Sequence, residues 1–144
     1  MTFSRPRNTI GANDMLDREN TWELMRFCSL KDTNVIGGAS KLFKYFIRNY
    51  SPSRIKSFSD ISHSMGGLYK TLGFTFKYET KPSYYWVHSK SEIYYNRVTT
   101  QKSKLSKLLK IYDLDMNKTE VQIMTENGFV QVFNSGNKVF IWEK

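Results

Sequence analysis

The segment NVIGGASKLFKYFIRNY, residues 34–50, joins a glycine turn directly to an amphipathic helix. The Ser51-Pro52 pair predicts where this helix ends. A glycine turn before a helix can bind phosphate through its backbone N–H groups, or it can be only a tight entry into the helix. Apolar side chains recur at the spacing of one helix face, at Ala39, Leu42, Phe43, Phe46, Ile47 and Tyr50.

The segments on either side of this helix predict a mixed sheet. The apolar run TWELMRFCS, residues 21–29, is typical of a buried strand, and RIKSFS, residues 54–59, of a short strand. A short helix is predicted in SMGGLYKTLGF, residues 64–74, followed by two strands, FTFKYET and YYWVHS, that we expect to pair as a hairpin. The order β-α-β-α-β-β predicts an α/β (α+β) domain in which helices cover a mixed sheet.

The last third of the chain predicts two helices and a β-hairpin. Residues 99–112, TTQKSKLSKLLKIY, carry a leucine stripe at helical spacing, and a capping box of Thr119 and Gln122 predicts the second helix. Two alternating runs in FVQVFNSGNKVFIWEK, joined at residues 134–137, are typical of a hairpin. We therefore divide the chain into a core, residues 1–96, and a C-terminal extension, residues 97–144, packed on the core as one unit.

Length and composition are those of one intracellular domain. The chain has 144 residues, 40% of them hydrophobic, which is enough to bury a core. Its single cysteine, Cys28, is expected in that core and cannot form a disulfide within the chain, which indicates a reducing compartment. The sequence shows no membrane span and no signal-peptide core. We expect no membrane partner and a cytoplasmic location.

Positive charge is concentrated in the middle of the chain. The net charge is +9 at pH 7, and residues 97–112 contain five basic and no acidic side chains. Such a concentration favours a polyanion, with DNA as the first candidate, whereas a solvated lysine face without a partner is the alternative. The candidate DNA-contacting residues are Arg97, Lys102, Lys104, Lys107 and Lys110, extended from the first helix by Lys41, Lys44 and Arg48.

Aromatic side chains precede this basic run, in SYYWVHSKSEIYYNR, residues 83–97. Aromatics interleaved with Lys and Arg can stack on unpaired bases. If the segment forms strands, alternate side chains must face the core, so we expect few of the aromatics to be exposed. The aromatic residues concerned are Tyr84, Tyr85, Trp86, Tyr94 and Tyr95.

Patterns for other chemistry are weak. Ser62 and His63 could act as nucleophile and base, but neighbours in sequence seldom face each other and no third member is evident. Asp113 and Asp115 could hold a metal, although a solvated connection between helices fits them better. The two histidines have no metal-ligand spacing, and we expect no metal site.

Two short motifs resemble the GNAT acyltransferase fold. Residues 34–39, Asn-Val-Ile-Gly-Gly-Ala, are similar to the pattern Q/R-x-x-G-x-G/A with Asn in first place, and Tyr69 stands four residues before the Gly-Phe pair at 73–74. The resemblance implies that the loop binds the pyrophosphate of acetyl-CoA or another acyl-CoA, and that Tyr69 protonates the departing thiolate. The implied cofactor-binding residues are Asn34, Gly37, Gly38, Ala39 and Ser40.

The same resemblance raises the questions of a catalytic base and of the front of the fold. Glu23 is the carboxylate on the strand before the loop, and an ordinary strand-edge glutamate is the alternative. A GNAT domain has a strand, two helices and another strand before this core, whereas 21 residues precede Trp22 here. We therefore expect a truncated GNAT-like core. Its open edge near Phe3 and residues 21–29 should be covered by a homodimer contact or a partner chain.

Nearly the whole chain resembles the C-terminal region of phage-encoded homing endonucleases. The stretches concerned are WELMRFCS, NVIGGASKLFKYFIRNYSPSRIKSFSD, GLYKTLGFTF, PSYYWV and ENGFVQVFNSGNKVF. In those proteins a nuclease segment with acidic metal ligands lies upstream, and none of these stretches contains it. An Arg-Arg-Trp run common in the family is replaced here by DISHSMGG, residues 60–67, so no role of those arginines carries over.

The resemblance implies a GNAT-like module of a DNA-targeting protein. We expect a DNA-binding protein of this type, without the nuclease segment, without catalysis of its own and without a cofactor, in the host cytoplasm if it is phage-encoded. An acyl-CoA-dependent N-acyltransferase is the alternative function, and a structural or interaction subunit is the second alternative.

Overall fold

A computed structural model describes residues 1–7 and 20–144. In the described residues the elements run, in chain order, β1 (Thr2–Ser4), β2 (Thr21–Arg26), α1 (Gly38–Tyr50), β3 (Arg54–Asp60), α2 (Gly67–Thr71), β4 (Thr75–Glu79), β5 (Tyr84–His88), β6 (Tyr94–Asn96), α3 (Lys102–Leu109), α4 (Glu120–Glu126), β7 (Phe129–Phe133) and β8 (Asn137–Glu143). The chain is mixed α and β, as the sequence predicted.

The chain divides into two compact units. The first unit comprises Met1–Thr80 and Gly136–Lys144, and the second comprises Lys81–Ser135. The division expected after residue 96 falls inside the second unit. The difference arises because the segment between β4 and β8 builds its own sheet and core, and the last strand returns to the first sheet.

The first unit contains a five-stranded sheet in the order β1-β2-β3-β8-β4. The strands β2 and β3 are parallel, and β8 lies antiparallel between β3 and β4. On one face of this sheet, α1 contributes Phe43 and Phe46 to a cluster with Leu24, Ile55 and Phe140. The helix predicted from the 34–50 periodicity is thus confirmed, and Ser51 forms its C-cap before Pro52.

The predicted hairpin at residues 134–137 is wrong. The strand β7 pairs with β5 in the second sheet, while β8 pairs with β3 and β4 in the first. The backbone N–H of Asn134 donates to the Ser83 carbonyl at 2.9 Å, and that of Asn137 donates to Thr80 Oγ1 at 2.9 Å. The two ends of the turn are therefore bound to different strand ends. The hairpin expected between β4 and β5 does not form either, because β4 pairs with β8 in the first sheet and β5 pairs with β6 and β7 in the second.

The second unit packs α3 and α4 on one face of a three-stranded antiparallel sheet, in the order β6-β5-β7. The core of this unit is formed by Trp86, Leu105, Ile123, Met124 and Phe129. The capping box is confirmed, since Thr119 accepts from the Gln122 backbone and Gln122 accepts from the Thr119 backbone.

A carboxylate at the start of α4 connects the helix to the sheet of the second unit. Glu120 Oε1 accepts hydrogen bonds from Tyr84 Oη at 3.1 Å, from Trp86 Nε1 at 2.9 Å and from Thr100 Oγ1 at 3.0 Å. Burial raises the pKa of the Tyr84 hydroxyl, and the neighbouring Glu120 carboxylate raises it further.

Cys28, which was expected in the core, is exposed, and so are Tyr112 and Met65. Cys28 follows the end of β2 and is exposed, because the strand ends at Arg26 rather than continuing through the apolar run. Tyr112 is 95% exposed, since α3 ends at Leu109 and Lys110 adopts a left-handed backbone. Met65 precedes α2 and is 76% exposed. In the described residues no helix combines the length and apolar character needed to cross a bilayer.

Candidate functional site

The lysine face of α3 is the most concentrated positive surface of the second unit. The helix, KSKLSKLL, contains no acidic residue, and its Leu105 is fully buried. Lys104 and Lys107 are exposed, and Lys110 follows three residues later. Lys104 and Lys107 are three residues apart in α3 and are therefore neighbours on its surface, so their like charges repel each other.

The five basic residues of this unit that the sequence predicted to contact DNA make different contacts with the rest of the protein. Lys104 Nζ donates to the Val98 carbonyl at 2.9 Å, and Lys102 Nζ donates to the Met116 carbonyl. The Arg97 guanidinium carbon lies 5.6 Å from the centroid of the Tyr84 ring. Each ammonium has three donors, so one carbonyl leaves donors for a ligand. Four of the five predicted cations are exposed, and Lys102 is half-buried.

A groove runs along the same helix. It has a volume of about 560 Å³ and is lined by Thr99, Ser103, Lys104, Lys107 and Leu108. Thr99 Oγ1 donates to the Asn96 carbonyl at 2.8 Å, so the donors of the lining that suit phosphate oxygens are the Ser103 hydroxyl and the two ammonium groups. The sequence predicted the lysines as ligand-contacting residues, whereas only the structure shows that Thr99 and Ser103 lie beside them in the groove.

Lys110 occupies a strained backbone position at the C-cap of α3. Its φ is 58°, in the left-handed region that glycine adopts without a steric penalty. A side chain at such a position costs roughly 1–2 kcal/mol.

The other predicted cations belong to the first unit. Lys41, Lys44 and Arg48 are exposed on α1, on the side away from Phe43 and Phe46. They form a second basic surface, on the first unit.

The aromatic segment alternates between the two faces of the second sheet, as the sequence predicted. Trp86 is buried, and Tyr84 and Tyr95 pack beside it against the core. Tyr85 is 42% exposed and Tyr94 is 69% exposed on the opposite face. Tyr85 and Tyr94 are therefore the members of the set that unpaired bases could reach.

The glycine turn opens α1, at the end of the segment that joins β2 to this helix. Gly37 is the N-cap with φ of 71°, and the Gly38 N–H donates to the Val35 carbonyl at 2.9 Å. No side-chain hydrogen bond caps this N-terminus. Val35 is 69% exposed and Ile36 is 90% exposed, so the turn projects apolar side chains beside its amides. Asn34, also exposed, lies in the same turn.

Tyr69 packs in the core rather than presenting its hydroxyl to solvent. Its ring stacks on Phe140 with 4.8 Å between centroids, and its hydroxyl donates to the Phe58 carbonyl at 3.0 Å. This contact fixes the hydroxyl on β3. A general acid would have to exchange this hydrogen bond for one to the leaving group.

Glu23 is paired with a cation. It is 3% exposed, and its carboxylate accepts from Arg7 Nε at 3.1 and 3.2 Å and from the Arg7 backbone N–H at 3.3 Å. Both carboxylate oxygens are engaged by Arg7, which favours a structural role. The sequence could not reveal this partner, because 16 residues separate the two.

Ser62, His63 and Asp60 do meet, contrary to the expectation from sequence spacing. The Ser62 hydroxyl lies 2.9 Å from His63 Nδ1 and donates to Asp60 Oδ1 at 2.6 Å. Asp60 Oδ2 lies 3.5 Å from the same ring nitrogen. In a catalytic triad the serine and the carboxylate contact different ring nitrogens, so this exposed turn is not one. The hydrogen bonds from Ser62 lower the pKa of Asp60.

The described residues contain no group of three His, Cys, Asp or Glu side chains placed to hold a metal ion. Neither protein-family models nor curated proteins gave a match to the chain.

Proposed function

We propose that the chain binds DNA through the lysine face of α3, with phosphates as the groups contacted. The observation that carries the proposal is an exposed helix with several neighbouring ammonium groups and no acidic residue. Surface helices usually mix both charges, because opposite charges three or four residues apart stabilise a helix by roughly 0.2–0.5 kcal/mol per pair. Here like charges cost a similar amount. A polyanion would relieve that repulsion.

The chemistry of these residues suits positioning more than sequence readout. Lysine contacts phosphate as a point charge, whereas bases are read mainly by groups that reach their edges. Asn96 is committed to a turn, since its Oδ1 accepts from the backbone N–H groups of Val98 and Thr99 at 3.0 Å each. We therefore expect weak sequence preference and binding dominated by release of counterions.

The salt dependence of binding tests this proposal. If about four side chains contact phosphate, the slope of log K against log salt on duplex DNA should be near −3.5, since each contact contributes roughly −0.9. Replacing Lys104 and Lys107 by Ala should flatten the slope by about two units with little change in sequence preference. Fluorescence anisotropy with a labelled duplex between low and moderate salt measures both quantities.

Two control variants separate a local surface from net charge and from folding. The Lys70→Ala/Lys77→Ala variant removes the same charge from exposed positions of the first unit and should leave the slope unchanged. Lys110→Gly should stabilise the fold by about 1 kcal/mol, because glycine tolerates the left-handed backbone, yet weaken DNA binding. Equal effects of the two double variants, or no binding at low salt, would contradict the proposal.

The relation to phage homing endonucleases is part of this proposal. It rests on the sequence stretches quoted above. Under it, the chain is a DNA-targeting module, and cleavage would belong to a nuclease segment or partner. Under the same proposal the location is the host cytoplasm, and the first unit is GNAT-like.

Transfer from acyl-CoA is the second candidate, and one observation favours it. The parallel strands β2 and β3 pair only from Thr21–Leu24 and Arg54–Ser57, although β2 continues to Arg26 and β3 to Asp60. Ligands of parallel sheets bind outside the carboxyl ends of the strands, and the glycine turn belongs to the connection that runs from that end of β2 to α1. The occupied hydroxyl of Tyr69 and the paired carboxylate of Glu23 weigh against catalysis.

A thermal-shift experiment with acetyl-CoA tests the second candidate. A ligand that binds the native state raises its stability by mass action, so bound acetyl-CoA would raise Tm. Because we expect no binding, we expect no change in Tm at millimolar acetyl-CoA. A clear rise that Gly38→Glu abolishes, together with acyl transfer lost in Tyr69→Phe, would reverse the order of the two functions. A Gly67→Glu variant, whose Cβ would meet nothing within 4 Å, is the matched control.

A further inference from the structure

An apolar groove lies in the first unit, between α1 and the edge of the five-stranded sheet. Its volume is about 380 Å³. Leu42 is 47% exposed, Tyr45 is 64% exposed and Tyr50 is 54% exposed, so the groove opens to solvent. Phe3 stacks on Phe46 at its base, with 3.6 Å between ring centroids. The lining residues are Met1, Phe3, Trp22, Leu42, Tyr45, Phe46 and Tyr50.

The groove borders an edge strand. In the described part of the chain β1 has β2 as its neighbour on one side, and its other side carries no strand. An edge strand presents a row of backbone N–H and C=O groups that can pair with another extended chain. A groove for side chains beside an open backbone edge is the combination used in recognition by strand addition. The sequence predicted an open edge near Phe3 and residues 21–29, and in the described residues that edge is formed by β1, Thr2–Ser4.

Charge indicates the chemistry of the occupant. Residues 38–50 contain Lys41, Lys44 and Arg48 and no acidic residue, and residues 1–7 contain no acidic residue either. The guanidinium carbon of Arg5 lies 4.3 Å from the centroid of the ring of Trp22, which lines the groove. The acidic side chain of β2, Glu23, is buried against Arg7. Among the described residues, the exposed basic side chains of α1 beside the groove, Lys41 and Arg48, therefore present positive charge to solvent.

The same charge argues against a second copy of this chain in the groove. A two-fold contact brings the same surface of each copy together, so the basic side chains of both copies would face each other. Like charges across an interface cost several kcal/mol. The side chains of an acidic partner would instead be attracted to these basic side chains, with no repulsion between like charges.

We infer that this groove binds an extended segment of another protein, whose apolar side chains are flanked by Asp or Glu and whose backbone pairs with β1. The apolar side chains enter the space beside Phe3 and Tyr45, and the acidic residues approach Lys41 and Arg48. This interaction is independent of DNA binding by α3, and the two are tested with different variants.

Selection from a random twelve-residue peptide library displayed on phage tests the inference with the full chain as target. Enriched peptides should alternate apolar and polar residues and carry Asp or Glu at their ends. Synthetic peptides of the enriched sequence should bind the wild type. Tyr45→Glu should weaken binding at least tenfold, because it removes apolar contact and repels the acidic ends, while Tyr45→Phe should retain it.

A matched control and a second readout keep the result specific. Tyr78→Glu introduces the same change at the opposite edge of the same sheet, on a side chain 48% exposed, and should leave binding unchanged. Hydrogen exchange should show added protection at the backbone N–H groups of residues 2–4 when the peptide is bound. The inference would be overturned if no peptides were enriched, if basic peptides were enriched, or if both variants lost binding equally. A homodimer in sedimentation that Tyr45→Glu dissociates would also overturn it.

Discussion

Replacing Gly66 by alanine should lower the free energy of unfolding by about 3 kcal/mol. Overpacking contributes roughly 1–3 kcal/mol of this loss, and a side chain on a left-handed backbone contributes roughly 1–2 kcal/mol. A Cβ at this position would lie 2.2 Å from Cζ and 2.8 Å from Cε2 of Phe140. That ring is 1% exposed and packs on Tyr69, so it has little room to move. The backbone is also left-handed, with φ of 79°. Urea unfolding followed by far-UV circular dichroism measures the change.

Gly37→Ala is the matched control for this steric effect. Gly37 has nearly the same backbone, with φ of 71°, and also precedes a helix, but a Cβ there would meet nothing within 4 Å. Its substitution should cost only the backbone term, about 1 kcal/mol. If the two variants lose equal stability, the close approach of Gly66 to Phe140 does not contribute.

Replacing Glu120 by alanine should destabilise the chain by about 3 kcal/mol. Its Oε1 accepts from three donors, and of these Trp86 is 1% exposed and Thr100 is fully buried. A buried donor without an acceptor costs roughly 1–3 kcal/mol, because it has lost water and gained no partner. Glu120→Gln keeps the Oε1 acceptor and should be much milder. Chemical denaturation gives the stability, and the NMR signal of the Trp86 indole N–H reports the local bond.

Glu126→Ala provides the comparison within the same helix. Glu126 pairs with Lys118 at 2.7 Å, and both side chains are about half exposed, at 55% and 40%. Ion pairs at the surface contribute little, so we expect almost no change in stability. Equal losses for Glu120→Ala and Glu126→Ala would contradict a special role for the buried network.

Signals that act within a few residues were readable from the sequence. The helix over residues 38–50 followed from its apolar spacing, and the start of α4 followed from Thr119 and Gln122. The exposure of the lysines on α3 followed from a leucine stripe that had to face a core. In each case the atoms that interact belong to one helix, so their separation in sequence fixes their separation in space.

Partners distant in sequence were decided only by the tertiary structure. Asn134 to Asn137 has the composition of a hairpin turn, yet β7 and β8 pair with strands of two different sheets. Two glycine turns that look alike in sequence differ because one of them lies against Phe140. In the sequence Glu23 is a candidate base, and only the structure shows that it is paired with Arg7. Strand pairing and side-chain partners depend on which surfaces meet after the chain has closed long loops, and that information is spread over the whole sequence rather than held in any short segment.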